Sequence, residues 1–451
     1  MDLIPVIFDP VIGLAELGPG QTLLRKMLVK LLQRIGTTYV PPRVVAWRYS
    51  RGQRSLLQSL TAATNEGARV AEAQSAPEPS PHEVVDKGEV AKREGGGQKG
   101  GGGGGERRLS PTEDNEGRNN GGITPTGKMN AQQEDRFREG GGFPEAEQEE
   151  EVEVAGELED IVDALLCGLR DRDTVVRWSA AKGIGRITER LPHELGDDVV
   201  CSVLDLFVDA EWDGSWHGGC LALAELARRG LLLPERLPRA CPLVRRALAY
   251  DVRRGAGSVG AHVRDAACYV CWAFARAYSP LVLGPHLPGL CDSMLSTALF
   301  DREVNVRRAA AAAFQENVGR QGRYGGDEGP AVGGVAHGIA IITAADYFSL
   351  GNRQQAYLEI SPSVASFDRY RRHLVDSLRR EKLRHWDPEI RSLSATALGK
   401  TVPLDPVYAA ETVLPDALAD VLSPELLRRH GACLVASEIT LALGKVCGSF
   451  V

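Results

Sequence analysis

No apolar stretch in this sequence approaches the ~18–20 residues that a helix needs to cross a bilayer. The apolar stretch at the N-terminus is interrupted at Asp9-Pro10, which is not the layout of a signal peptide. A cysteine framework is also missing. The 9 cysteines are an odd number, scattered over 167–447 without the regular spacing of a disulfide-stapled secreted domain. Reduced thiols in a soluble, cytoplasmic protein are the expectation. Clustered basic charge is absent where it would matter. Residues 161–451 carry 34 Lys/Arg against 34 Asp/Glu, so the body is a poor polyphosphate binder and nucleic acid is disfavoured as a partner. None of the 9 histidines falls in a His-Glu-x-x-His pattern, and no nucleophile–base pair stands out. An enzyme is not expected, and no cofactor or metal is implied.

The charge that is present is unevenly distributed. Residues 1–65 carry 8 basic against 3 acidic side chains, and residues 66–160 carry 11 against 23. The chain therefore reads as three parts: a helical segment over 1–65 that packs on the main body, a low-complexity linker over 66–156, and a repeat array over 157–451. The linker holds 19 of the 50 glycines, six of them in one run from Gly100 to Gly105, and closes with Glu145, Glu147, Glu149, Glu150, Glu151 and Glu153. Such a composition cannot bury enough apolar surface to offset chain entropy, so a long disordered Gly/Glu-rich insertion is expected. In the first part, Leu23, Leu24, Met27, Leu28, Leu31, Leu32 and Ile35 follow helical spacing, with Arg25, Lys26, Lys30 and Arg34 on the opposite side. This predicts a helix packed through its leucines with a solvated basic face; a membrane-surface or calmodulin-type helix is the alternative. A second short helix is expected over 44–60.

The body gives no convincing strand signal and reads as helices of 10–18 residues separated by Pro, Gly and Asp. It also repeats itself. Asp173-Thr-Val-Val176-Arg177, Glu303-Val-Asn-Val306-Arg307 and Asp387-Pro-Glu389-Ile390-Arg391 each place an acid three positions before an aliphatic-Arg pair that opens a small-residue helix. Val263-Arg264 keeps the pair without the acid. A second phrase, His217-Gly-Gly-Cys220, recurs as His430-Gly-Ala-Cys433 and brings Trp216 and Arg429 into the same register. Positions 177, 216, 264, 307, 391 and 429 are 39, 48, 43, 84 and 38 residues apart. The double interval leaves room for one degenerate repeat near Gly351–Gln355. A period near 40 fits helical repeats of the HEAT/armadillo class (~40–47 residues), so the expected fold is an all-α solenoid. The acid is expected to cap the second helix of each pair, and the arginine to bond the turn of the next repeat. The structural ladder is accordingly assigned to Asp173, Arg177, Arg264, Glu303, Arg307, Glu389, Arg391 and Arg429.

Other constellations are weighed against packing. Gly255-Ala-Gly257-Ser-Val-Gly260 matches a dinucleotide fingerprint but lacks a β-α-β setting; an inter-helix loop is the expectation. Cys268 and Cys271 have redox or metal spacing, yet they lie in an apolar helix without a second Cys/His pair, so buried thiols are expected. The equivalent positions of His217 and His430 point to a shared inter-helix hydrogen bond. Loops carry function more often than stacked helices, so the candidate partner contacts are Trp212, Trp216, Arg320, Gln321, Tyr347, Asn352 and Arg353.

Several phrases are longer than a generic repeat requires. Asp173 to Thr188, Trp216 to Leu226, Val263 to Tyr278, Phe314 to Gly322 and Ala344 to Phe348 resemble the tubulin-folding cofactor D family in the same order, as do Lys30 to Gly36 and Ala46 to Tyr49. The resemblance implies a scaffold in the late folding of tubulin. It would capture β-tubulin and join α-tubulin with the folding cofactors C and E in a complex that promotes GTP hydrolysis by tubulin. It also implies contact with a small Arf-like GTPase, and a place in the cytoplasm, on microtubules or at centrosomes. Members of that family are much longer, and the stretches 66–156 and 323–336 look like insertions relative to them. A generic HEAT adaptor for another partner is the alternative reading.

Overall fold

Runs of alanine, leucine and other good helix formers, punctuated by Pro, Gly and Asp, set the element pattern. The computed structural model describes residues 20–42, 45, 47–49, 155–208, 212–321 and 334–448. These belong to one compact unit. The expected linker and the body of the second short helix lie outside the described residues.

Helix α1 (Thr22–Tyr39) is followed by pairs of antiparallel-type repeat helices. These are α2 (Gly156–Leu169) with α3 (Thr174–Thr188), and α4 (His193–Leu204) with α5 (Asp213–Arg228). Next come α6 (Leu237–Leu248) with α7 (Ala261–Ala277), and α8 (Leu287–Phe300) with α9 (Val304–Arg320). In the fifth pair, α10 (Gly338–Ala344) precedes α11, which runs through Arg353–Gln355, a π-helical Ala356–Ile360 and Ser361–Ala365. Then come α12 (Asp368–Arg380) with α13 (Pro388–Thr401). The last first-helix, α14, runs through Pro406–Tyr408, Ala409–Val413 and Leu414–Asp420, and pairs with α15 (Leu426–Gly448). The second helices stack in a row, α3 on α5, α5 on α7, α7 on α9 and α13 on α15. This is a HEAT/armadillo-like array with the degenerate repeat at α10–α11.

One continuous apolar core runs between the two helix layers. Ile161, Leu165, Leu169, Ile184 and Ile187 are fully buried in the first pair alone, at roughly 1.5–3 kcal/mol of burial each. Most of each pair's face is buried against the adjacent pairs, so stability is mainly a sum of nearest-neighbour terms along the stack.

Three expectations are corrected here. First, α1 is rotated. Its buried side carries Arg25, Leu28, Val29, Leu32, Gln33 and Gly36, whereas Leu23, Leu24, Met27 and Leu31 are exposed. Arg25 is drawn inward because it pairs with both Asp171 and Asp173 at the start of α3. Second, strands occur: β1 (Val252–Arg254) pairs antiparallel with β2 (Gly257–Val259) as a hairpin between α6 and α7. Gly255 turns it with φ of 59°, and Gly260 leaves it with φ of 128°, both conformations that favour glycine. A Cβ at Gly260 would lie 2.5 Å from the Tyr250 carbonyl oxygen. The glycine fingerprint is thus the tip and exit of a hairpin, with no β-α-β unit around it. Third, α15 is long and apolar enough, by length and composition, to cross a membrane. One of its faces (Gly431, Ala432, Val435, Ile439) is nevertheless buried within the array.

The seven-residue α10 leaves the first-helix layer short at the degenerate repeat. Across that gap α8 meets α12 directly: Ser296 Oγ lies 3.0 Å from His373 Nε2, and Arg369 Nη1 3.0 Å from Asp292. The turns are drawn together as well. His385 Nε2 is 2.9 Å from an Asp251 carboxylate oxygen, and the Arg302 guanidinium lies 4.9 Å above the Trp386 ring.

Candidate functional site

The recurring arginine has one geometry, repeated. Arg177 enters α3 buried, and its Nη1 donates to the carbonyls of Asp171 (2.6 Å) and Arg172 (2.9 Å). Arg307 does the same to Asp301 and Arg302 at 3.0 Å each, and Arg391 to His385 (2.6 Å) and Trp386 (3.0 Å). The guanidinium thus satisfies the orphan carbonyls of the tight turn that joins the two helices of its own repeat. Its other edge reaches the next repeat. Arg177 Nε donates to His217 Nδ1 at 2.8 Å, and Arg391 Nε to His430 Nδ1 at 3.0 Å. Arg264 forks onto Asp301. Arg307 donates to the carbonyls of Leu350 (2.9 Å) and Gly351 (3.0 Å), the turn before the degenerate α11. Arg353, at the start of α11, continues the series to Glu389 at 2.8 Å. Among the described residues, the exposed Arg429 side chain bonds only within its own turn, to Ser423 at 3.0 Å.

The His-Gly phrase follows from this packing. A Cβ at Gly218 would stand 1.9 Å from the Leu169 carbonyl oxygen, and one at Gly431 1.9 Å from that of Leu383. The histidine receives the arginine, and the glycine lets the helix seat directly on the end of the preceding repeat. Where Trp216 replaces the arginine, the link forward is made by Asp213, 3.0 Å from His262 Nε2 and 3.2 Å from Arg254.

Electrostatics separates the rungs. Burial, then the Arg177 charge and then His262, push the His217 pKa down to about 3; it is a neutral acceptor. Burial alone lowers Arg177, against the pull of Asp213, Asp171 and Asp173. Burial also opposes the charge on Arg264, but Asp301 with Asp251 and Glu303 together outweigh it and hold that guanidinium above its ordinary value.

The acids are not caps in the way their position suggests. Neither Asp173 nor Glu303 makes a side-chain cap bond, although each occupies the residue before its helix. The turn is instead held by the aspartate two residues earlier: Asp171 accepts the Asp173 N–H at 2.7 Å, and Asp301 that of Glu303 at 2.8 Å. Asp173 turns outward to Thr22 and Arg25, which hold its carboxyl below the usual range. Only in the third copy does the N-cap residue accept, Asp387 from the Glu389 N–H at 2.9 Å.

The candidate partner contacts divide. Trp216 is 2% exposed and locked between Phe207 and Tyr250, with its indole N–H donating to the Val208 carbonyl at 3.0 Å. Gln321 is 0% exposed and donates to the carbonyls of Ala275 (2.9 Å) and Tyr278 (3.1 Å), ending α7. Both are core residues, so neither offers a surface. Trp212 is half-buried, with its ring over Gly214. Arg320 pairs with Glu316 one turn back at 2.9 Å, Asn352 accepts the Gln355 N–H to start α11, and Arg353 is the rung already described. Tyr347 stands apart. It is exposed beside Phe348, which is 82% exposed, with the Arg308 guanidinium 4.4 Å from its ring centroid. Asp346 holds this turn by accepting the N–H groups of Phe348 and Ser349, each at 2.7 Å. The exposure of Phe348 was not legible beforehand, since an aromatic pair near a helix end packs inward as often as it projects.

Cys268 and Cys271 are buried and their thiols are driven well up by desolvation, the opposite of an activated nucleophile. Among the described residues no group of three His, Cys, Asp or Glu side chains is placed to hold a metal.

The family model for tubulin-specific chaperone D-like ARM repeats matches residues 23–93 and 116–326. The tubulin-specific chaperone D of Dictyostelium discoideum is 42% identical over 282 residues, 61% of this chain and 18% of that protein. The tubulin-folding cofactor D of Schizosaccharomyces pombe is 34% identical over 263 residues, 55% of this chain and 22% of its own. The chain therefore aligns with about one fifth of these relatives. A designed armadillo repeat protein superposes on 62% of the chain and 99% of itself, at 13% identity and a TM-score of 0.26, which is too low to add weight.

Proposed function

Because the chain belongs to the tubulin-specific chaperone D-like ARM-repeat family, we propose that it is a tubulin-folding scaffold that holds β-tubulin during assembly of the αβ heterodimer. The observation that carries the reading is the family match across the very turns that build the ladder, from α3 through α9. A stack of locked repeats presents a long, stiff surface, which suits gripping a folded client. In this reading the chain acts with α-tubulin, the folding cofactors C and E and a small Arf-like GTPase, in the cytoplasm and at microtubules or centrosomes. GTP hydrolysis is performed by tubulin; the scaffold contributes position and not a catalytic group.

The exposed pair Tyr347-Phe348, backed by Arg308, is the client-facing anchor best suited to such a surface. Aromatic and arginine side chains are the usual energetic centres of protein interfaces. Immobilised chain incubated with native tubulin is expected to retain β-tubulin above an albumin control. The Tyr347→Ala/Phe348→Ala variant should retain at most a third as much. Absence of β-tubulin enrichment by the unaltered chain overturns the reading.

A further inference from the structure

Helices α1 and α3 together carry seven lysine and arginine side chains and no carboxylate. Two of the seven turn inward, Arg25 to Asp171 and Asp173, and Arg177 to His217. Arg25 reaches forward to the turn before α3 as Arg307 does to the turn before α11, so α1 keeps the repeat register. One, five and nine residues past the arginine, Lys26, Lys30 and Arg34 of α1 match Trp178, Lys182 and Arg186 of α3. Lys26 and Trp178 are half-buried and the other four are exposed. None of the five cations is ion-paired among the described residues. The carboxylates at the two ends of this face are taken, Asp173 by Thr22 and Arg25, and Glu189 by Arg48 and Arg229. Between the rows lies a buried floor, where a Cβ on Gly183 would stand 3.5 Å from that of Gln33. Lys182 is seated over the Trp178 ring, 5.7 Å from its centroid, and that ring meets Tyr269 of α7 at 5.8 Å. Tyr269 stacks on Trp272, which carries the Arg276 guanidinium at 4.5 Å. The open positive charge ends at α7, where Asp265 is exposed and Arg276 pairs with Glu316.

We infer that the α1–α3 face binds an extended run of consecutive acidic residues of a partner protein. Cations four residues apart on a helix recur every ~6 Å along its axis, and neighbouring helix axes lie about 8–10 Å apart. In an extended chain successive side chains point to opposite sides, and those on one side recur every ~6.6 Å. A chain laid along the floor therefore turns its odd carboxylates to the α1 row and its even ones to the α3 row. Single-stranded nucleic acid fits less well, because it binds by stacking bases on open ring faces. Here the rings face one another and the cations above them. The face shares no residue with Tyr347, Phe348 or Arg308, so it goes beyond the client reading and is tested apart from it.

The test is fluorescence anisotropy of the full 451-residue chain with labelled hexaglutamate at low salt. Binding should weaken at least tenfold in Lys30→Glu/Lys182→Glu and to an intermediate extent in Lys30→Gln/Lys182→Gln. It should stay within twofold in Arg253→Glu/Arg380→Glu, which reverses two exposed cations elsewhere. Thermal unfolding of each variant separates lost binding from lost fold, and the neutralised pair carries the test if the reversed one melts early. Equal binding by all variants, or none by the unaltered chain, overturns the inference. So does binding of decauridylate or of phosphatidylserine vesicles in place of the peptide. Binding that emerges only when the six glutamates of 145–153 are changed to glutamine would assign the face to the chain's own acidic run, and overturns a partner in trans.

Discussion

Two rungs of the ladder are chemically the same and physically different. Arg177 with His217 and Arg391 with His430 make matching bonds, two to turn carbonyls and one to an imidazole, and both sit above a glycine pressed on a carbonyl. His217, however, is 5% exposed, because α7 covers α5 and brings His262 to within 5.1 Å of its ring. His430 is only half-buried, on a helix whose Leu441 is 62% exposed. The repeat phrase writes the contacts, whereas the neighbouring repeat decides how dry they are. Since the energy of a polar contact depends on its dielectric surroundings, identical motifs along one array should differ in what they contribute.

Removing the arginines exposes that difference most strongly. Arg177→Ala leaves the Asp171 and Arg172 carbonyls and the His217 Nδ1 unpaired in a buried joint, and should cost about 3–5 kcal/mol. Arg391→Ala strips the same three bonds from a joint whose histidine is only half-buried, and a smaller cost of about 1–2 kcal/mol is expected. Urea unfolding followed by circular dichroism gives both values. Equal losses would mean that burial by the next repeat has no part in the rung's strength.

Acid sharpens the comparison at smaller amplitude. The folded-state pKa of His217 lies near 3, below the ordinary 6.5, so the unfolded chain binds the proton first. The stability this contributes is complete above about pH 6.5 and is lost progressively as pH falls toward 3. Roughly 2 kcal/mol should disappear between pH 7 and pH 5. His217→Asn, which keeps an acceptor for Arg177 but does not titrate, should flatten that part of the pH–stability curve. A slope unchanged in His217→Asn would place the acid sensitivity elsewhere.

The parts of this architecture legible in the sequence are those fixed by backbone geometry. An arginine can reach the carbonyls five and six residues behind it only through one tight turn, so the aliphatic-Arg pair must recur wherever that turn recurs. The histidine bond and the degenerate repeat at α11 are read from the same register. What was not legible depends on partners distant in sequence. Leucine occupies two overlapping stripes of α1, and the choice between them is made by Asp171 and Asp173, some 146–151 residues away. Trp216 beside a turn reads as a contact until Phe207 and Tyr250 are seen to enclose it. The hairpin at 252–259 has strands of three residues, too short for alternation to register. The role of Asp171 was not legible because Asp173, and not Asp171, occupies the cap position next to α3.

The mildest probe leaves stability untouched and reads cover directly. The shared phrase places a cysteine three residues after each histidine: Cys220 in α5 and Cys433 in α15. Desolvation drives the fully buried Cys220 thiol far up, whereas Cys433 is exposed. Because the thiolate is the reactive form and needs access as well, native chain treated with an aromatic disulfide reagent should label Cys433 within minutes. Cys220 should label only at the rate of unfolding, together with the buried Cys241, Cys268, Cys271 and Cys291. Peptide mapping by mass spectrometry after a short pulse distinguishes the sites. Equal labelling of the two would mean that α7 does not stay closed over α5 in solution, and the dry rung on which the larger effects depend would be an open one.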